Sequence, residues 1–166
     1  MYTETGLNQW KLQPADRFNE RMRKYNPKSI SFHYHNKHSG ADSPWNLVGG
    51  TALTLDENLG SHKVRDGHGT DKEKLARWTW VRVRGKNDVH TRFVSAYKPC
   101  KNKGLNTVWI QHVNHFRDKG IQNPDPRKNF DDHLCDDIKE WMNLGDNVVI
   151  GIDMNEDVRT SQLARR

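Results

Sequence analysis

Asp153 and Asn155 stand two residues apart, directly after Asn147-Val148-Val149-Ile150-Gly151-Ile152. That nearly unbroken Val/Ile run is the pattern of a central strand covered on both faces. Side chains two apart on an extended chain project to the same side, so both groups leave one end of the strand together. A carboxylate and an amide placed there can hold a divalent ion, or a water and a phosphate oxygen, the working parts of metal-assisted hydrolysis. The same pair also suits an Asx turn that closes a strand. On these residues alone both readings stand.

Other groups with chemical potential are less organised. His33 and His35 share one strand face, and His112 and His115 lie about one helical turn apart. A zinc site needs a third and fourth ligand at recognisable spacing, and none follows. Cys100 and Cys135 show no CxxC spacing and read as ordinary thiols of a reducing, intracellular compartment. The net charge of +6 and pI near 9.4 favour a polyanionic partner such as nucleic acid, although a solvated basic surface has the same composition.

The elements that must position these groups follow from periodicity. Pro14 to Tyr25 reads as a helix, with Phe18, Met22 and Tyr25 on one side. Ser29 to His35 alternates as a strand, Asn36 to Pro44 is a loop, and Trp45 to Leu55 is a strand interrupted by Gly49-Gly50. Asp56 to Lys74 is polar and punctuated by glycine, so it reads as an extended surface excursion. Arg77 to Arg84 and Val89 to Tyr97 form a hairpin about Gly85-Lys86-Asn87-Asp88. Its first strand carries Trp78, Trp80, Arg82 and Arg84 on one face, an aromatic and basic surface that suits either a phosphate track or an ordinary packed sheet. Asn106 to Lys119 and Phe130 to Leu144 are helices closed by Gly120 and Gly145, with Asp131-Asp132 expected in the first turn of the second.

The order of strands, hairpin, helices and buried strand indicates an α+β domain with helices packed outside sheets. The 166 residues fit a single domain. Mean hydropathy is -1.02, no apolar run approaches the length of a bilayer span, and no secretory signal opens the chain, so membrane and secreted classes are not supported.

Three segments in fixed order resemble the endonuclease/exonuclease/phosphatase superfamily, which includes apurinic endonucleases, deoxyribonuclease I and retroelement endonucleases. Residues Asn147 to Asp157 are similar to its G-D-x-N strand, with the glycine one place earlier. Phe93-Val94-Ser95-Ala96-Tyr97-Lys98-Pro99 resembles its Tyr-x-Pro strand, and Thr3-Glu4-Thr5 its Gln-Glu-Thr segment. Gly49 to Ala52, Arg77 to Trp80 and Asn123 to Arg127 look like segments of retroelement-associated members.

The resemblance implies a partial four-layer α/β sandwich, two packed mixed β-sheets flanked by helices, over residues 1–166. It implies metal-dependent phosphodiester hydrolysis of nucleic acid, DNA before RNA. Glu4 and Asp153 would hold Mg2+ (or Mn2+), and Asp153, Asn155 and Tyr97 would be the catalytic set. Arg82, Arg84, Lys98, Lys101 and Lys103 would contact nucleic acid. Neither the Asn-bearing first strand nor the late Asp-His pair of the superfamily is visible. The expectation is therefore a domain truncated at both ends, weak or inactive alone, with an uncovered sheet edge open to self-association. A non-catalytic nucleic-acid-binding remnant of a mobile element and a phosphatase acting on a non-nucleic phosphate are the alternatives.

Overall fold

The structure is a computed structural model, and it describes residues 1–9, 11–36, 48–102 and 104–156. Two sheets stack face to face. The first, in order β1-β3-β2, is antiparallel and consists of β1 (Tyr2–Thr3), β2 (Ile30–Tyr34) and β3 (Thr51–Leu55). The second has the order β4-β5-β6-β7, from β4 (Lys63–Thr70), β5 (Trp78–Arg84), β6 (His90–Tyr97) and β7 (Asn147–Asp153). In the second sheet β6 and β7 are parallel, and the crossover between them carries α3 (Val108–Asp118) and α4 (Pro126–Asn143).

Alternation decides what lies between the layers. Phe32, Leu53, Leu55, Val81, Val83 and Phe93 fill the space between the sheets. Thr51 and Thr79 join across it, their hydroxyls 2.8 Å apart. The opposite face of the second sheet presents Trp78, Trp80, Val94, Ala96, Val148, Ile150 and Ile152 to Phe130, Leu134, Ile138 and Trp141 of α4. On the outside of the first sheet, α1 (Phe18–Tyr25) stacks Phe18 on His33 at 5.5 Å between ring centroids. The layers thus run helix, sheet, sheet, helix, the α+β sandwich expected, although only the second sheet is mixed.

Several elements differ from expectation. The polar stretch 56–74 is not an excursion: it forms the short helix α2 (Glu57–Ser61) and then β4, the edge strand of the second sheet. Its glycines are what the packing requires, since a Cβ on Gly69 would come within 2.8 Å of the Trp80 ring. The first helix is broken by the extended backbone of Arg17, which separates a 3₁₀ turn at Pro14–Asp16 from α1. Helix α4 begins four residues before Phe130, with Pro126 in its first turn and Asp125 accepting from the Arg127 and Lys128 amides at 2.9 and 3.2 Å. Asp131 therefore does not sit in the first turn. Residues 45–47 of the expected strand and 37–44 of the expected loop lie outside the described residues.

Among the described residues β7 has a neighbour on one side only, and Val149 on it is 46% exposed. No helix among them is long and apolar enough to cross a membrane.

Candidate functional site

The parallel pairing of β6 and β7 puts Tyr97 opposite Asp153 at the C-terminal ends of both strands. Parity then places Phe93, Ser95 and Tyr97 on the face turned towards the first sheet, with Val149, Gly151 and Asp153 beside them. The N-terminal segment arrives on this face from the other sheet. Tyr2 pairs with Ala52 of β3, and the Ser95 hydroxyl donates to the Tyr2 carbonyl at 3.0 Å. Gly151 makes room for it, because a Cβ there would lie 2.5 Å from the Met1 sulfur.

Glu4 is thereby delivered to Tyr97. The Tyr97 hydroxyl hydrogen-bonds to the Glu4 carboxylate and to the Asn155 side chain, and it is in contact with the Cys100 amide. Burial foremost, then the neighbouring Glu4 carboxylate, pushes the phenol well above its ordinary pKa, so it stays protonated. On the other side, the Asp153 carboxylate accepts the Asn155 amide at 3.2 Å, and the Asp153 carbonyl accepts the Lys98 amide at 2.9 Å. Glu4, Tyr97, Asp153 and Asn155 are therefore one cluster at one sheet end.

Both outer members of that cluster hold the left-handed backbone region, Glu4 at φ 48° and Asn155 at φ 47°. For Glu4 this costs on the order of 1–3 kcal/mol and persists only where the surroundings enforce it, whereas asparagine adopts the region routinely. For Glu4 the enforcement is visible. The Thr5 amide donates to Gly50 at 3.2 Å and the Gly6 amide to Gly49 at 3.0 Å. The Thr5 hydroxyl shares a hydrogen bond with His33 Nε2 at 2.7 Å.

His33 is held at about 4, below its ordinary 6.5, by burial first and by His35 second. Between those values the unfolded chain takes up a proton that the folded chain refuses, so stability falls as pH drops through this window. Urea midpoints should decline from pH 6.5 to about 4 in the wild type and decline less in His33→Gln, because His68, His112 and His133 are lowered as well. Parallel curves for the two proteins would remove His33 from the account. The remaining histidine spacing has a structural use, since His112 is 1% exposed inside the fold and His115 meets Glu73 at 2.8 Å.

The basic residues separate into two kinds. Trp78 is 1% exposed, with its indole N–H on Asp137 at 3.2 Å, and Trp80 lies against Trp141. The face they share with Arg82 is thus covered by α4. Asp146 takes both Arg82 and Arg92 at 2.7 Å, and the Arg82 side chain keeps 24% exposure. Large aromatic area drives this burial, and the carboxylates satisfy the polar tips. Lys98 is likewise turned inward, 2% exposed between Asp131 and Glu156, and presents no surface to a phosphate. Arg84 and Lys101 are exposed; Arg84 ends β5 opposite His90, the first residue of β6, whereas Lys101 follows the other end of β6. Lys103 lies outside the described residues.

The Glu4 and Asp153 carboxylates are oxygen donors of the type that Mg2+ takes, an ion that keeps several waters and needs only one or two protein carboxylates. Among the described residues no group of three or more His, Cys, Asp or Glu side chains is placed to hold a metal ion.

No family model matches the sequence, and no curated protein matches it. The fold does match the human Nocturnin catalytic domain, solved with a bound sulfate anion, at a TM-score of 0.53 and 12% identity. The match covers 90% of this chain and 50% of that one, so this chain spans half the length of its structural neighbour. Identity this low speaks for the fold alone, two packed sheets with helices outside them.

Proposed function

We propose that the chain carries part of a metal-dependent phosphodiesterase site acting on nucleic acid, DNA before RNA, of the retroelement endonuclease type. One observation carries the reading: three segments separated by 93 and 56 residues in sequence bring Glu4, Tyr97, Asp153 and Asn155 to one sheet end. The sulfate in the neighbouring structure supports it, because sulfate has the shape and charge of a phosphate group.

In this reading Glu4 and Asp153 would hold Mg2+, with Mn2+ as a substitute. The ion, when bound, would neutralise phosphate charge and stabilise the departing oxygen. Asp153 orients or deprotonates the attacking water. Asn155 contacts a phosphate oxygen through its amide. The Tyr97 hydroxyl, kept protonated by burial and Glu4, offers a neutral donor to phosphate when substrate displaces a present partner.

The test is nicking of supercoiled plasmid by the purified chain. Conversion to open circles should require Mg2+ or Mn2+, stop on chelation and return when metal is restored. Salt-dependent duplex binding without nicking would overturn hydrolysis and leave the nucleic-acid-binding remnant. Turnover of a phosphomonoester without duplex binding at low salt would overturn the nucleic-acid substrate.

A further inference from the structure

Asn155 follows the last residue of β7 by two and holds a left-handed backbone, yet it has no sheet partner to impose that shape. Its surroundings come from the start of α4 and the segment after β6. Arg127 donates to the Pro99 carbonyl at 3.0 Å and to the Met154 carbonyl at 3.3 Å, and it pairs with the Glu156 carboxylate. The other Glu156 oxygen receives Lys98 Nζ at 2.8 Å, and the same ammonium reaches Asp131 at 2.9 Å. The Lys98 carbonyl accepts the Asn155 side-chain amide at 2.9 Å. Residues on both sides of Asn155 are thus tied to one helix start, whose backbone is itself fixed by the Asp125 cap.

The charges of this network cancel: Lys98 and Arg127 against Asp131 and Glu156. It adds no attraction for an anion. Its geometry instead fixes the backbone on both sides of Asn155, at Met154 and at Glu156.

We propose that Arg127, Glu156 and Lys98 are positioning residues that hold the Asn155 amide at its place beside Tyr97. This deepens the phosphodiesterase reading and rests on it for the catalytic consequence, though not for the structural one. Arg127→Ala and Glu156→Gln remove the tie from its two ends. Glu156→Gln preserves size, so it serves where Arg127→Ala does not fold.

The experiment is NMR of the full chain labelled with 15N-asparagine, with the Asn155 side-chain signal assigned by its loss in Asn155→Ser. In both tie variants that signal should move towards the position of a free amide, and its exchange with water should rise about tenfold, as expected for a lost hydrogen bond. Arg127→Lys should fall between, since a lysine replaces only one branch of the guanidinium. Lys128→Ala, which breaks the exposed pair with Asp132 on the same helix, should leave the signal in place. Measured in parallel, kcat for nicking should drop about 10–100-fold, the range for supporting residues, with KM little changed. An Asn155 signal unmoved in both Arg127→Ala and Glu156→Gln overturns the proposal. Absence of nicking by the wild type overturns the phosphodiesterase reading instead, and the NMR comparison still decides the tie.

Discussion

Replacing Asp153 by alanine should lower Mg2+-dependent nicking by about 10²–10⁴-fold, the range for a lost general base. The backbone contribution of this residue survives the change, because the bond from the Lys98 amide goes to the Asp153 carbonyl. What disappears is the carboxylate, and with it the hydrogen bond from the Asn155 amide at 3.2 Å. That bond is the strand-closing Asx turn which the sequence also allowed, so the alanine variant tests two roles at once. Asp153→Asn separates them. It keeps an oxygen for the Asn155 amide while removing the negative charge that a metal ion or a water proton requires. If the carboxylate is chemical, both variants lose nicking to a similar degree. If it only closes the turn, Asp153→Asn nicks like the wild type, and the assignment fails. Loss of one hydrogen bond, worth about 1 kcal/mol, should lower the melting temperature by only a few degrees. A kinetic deficit of this size cannot then be unfolding.

Features written in neighbouring residues were legible in the sequence. The Val/Ile run of β7, the alternation of β5 and β6 and the helical stripe of α3 each carry their own period. The residue types and spacing of Asp153 and Asn155 were legible too, but not their geometry: β7 ends at Asp153, and the left-handed backbone of Asn155 breaks the extended alternation expected. Harder features depend on partners far along the chain. Alternation shows that Trp78, Trp80 and Arg82 share a face, but what covers it is decided by Asp137, Trp141 and Asp146, about sixty residues later. Lys98 looks like a surface lysine until Asp131 and Glu156 close on it. Strand β4 has almost no apolar signal, because an edge strand beneath a tryptophan ring needs glycine where a central strand would carry valine. The start of α4 was signalled by Asp125-Pro126, a cap followed by proline, which also reads as a turn. Glu4 has no local signature. Only resemblance singled it out, and its place depends on β1 pairing with β3 in the first sheet while Ser95 of the second sheet donates to the Tyr2 carbonyl.

Asp71→Ala should be the most destabilising single substitution outside the hydrophobic core, at about 3–5 kcal/mol, the range for a buried ion pair deprived of one partner. Neither side chain of the Asp71–Arg77 pair has measurable exposure. Asp71 accepts the Arg77 amide at 3.0 Å, Arg77 Nε at 3.1 Å and Arg77 NH2 at 3.0 Å. The guanidinium lies over the rings of Trp78 and Phe116, with centroids 4.7 and 5.9 Å away, so no water can replace the lost carboxylate without opening the core. Against a typical total of about 5–15 kcal/mol the loss should lower the melting temperature by roughly 6–20 °C for a domain of this size. The cause is the stranded charge and not the missing attraction, and this can be tested directly. Asp71→Ala combined with Arg77→Met should be more stable than Asp71→Ala alone, since the double variant buries no unpaired ion. A double variant less stable than the single one would mean that Arg77 stabilises the fold chiefly by its other contacts, the Asn129 carbonyl and His133. The site should feel the change as well. The Tyr97 amide donates to the Arg77 carbonyl at 2.8 Å, so loosening the Asp71 loop loosens the strand end on which Tyr97 and Asp153 face each other.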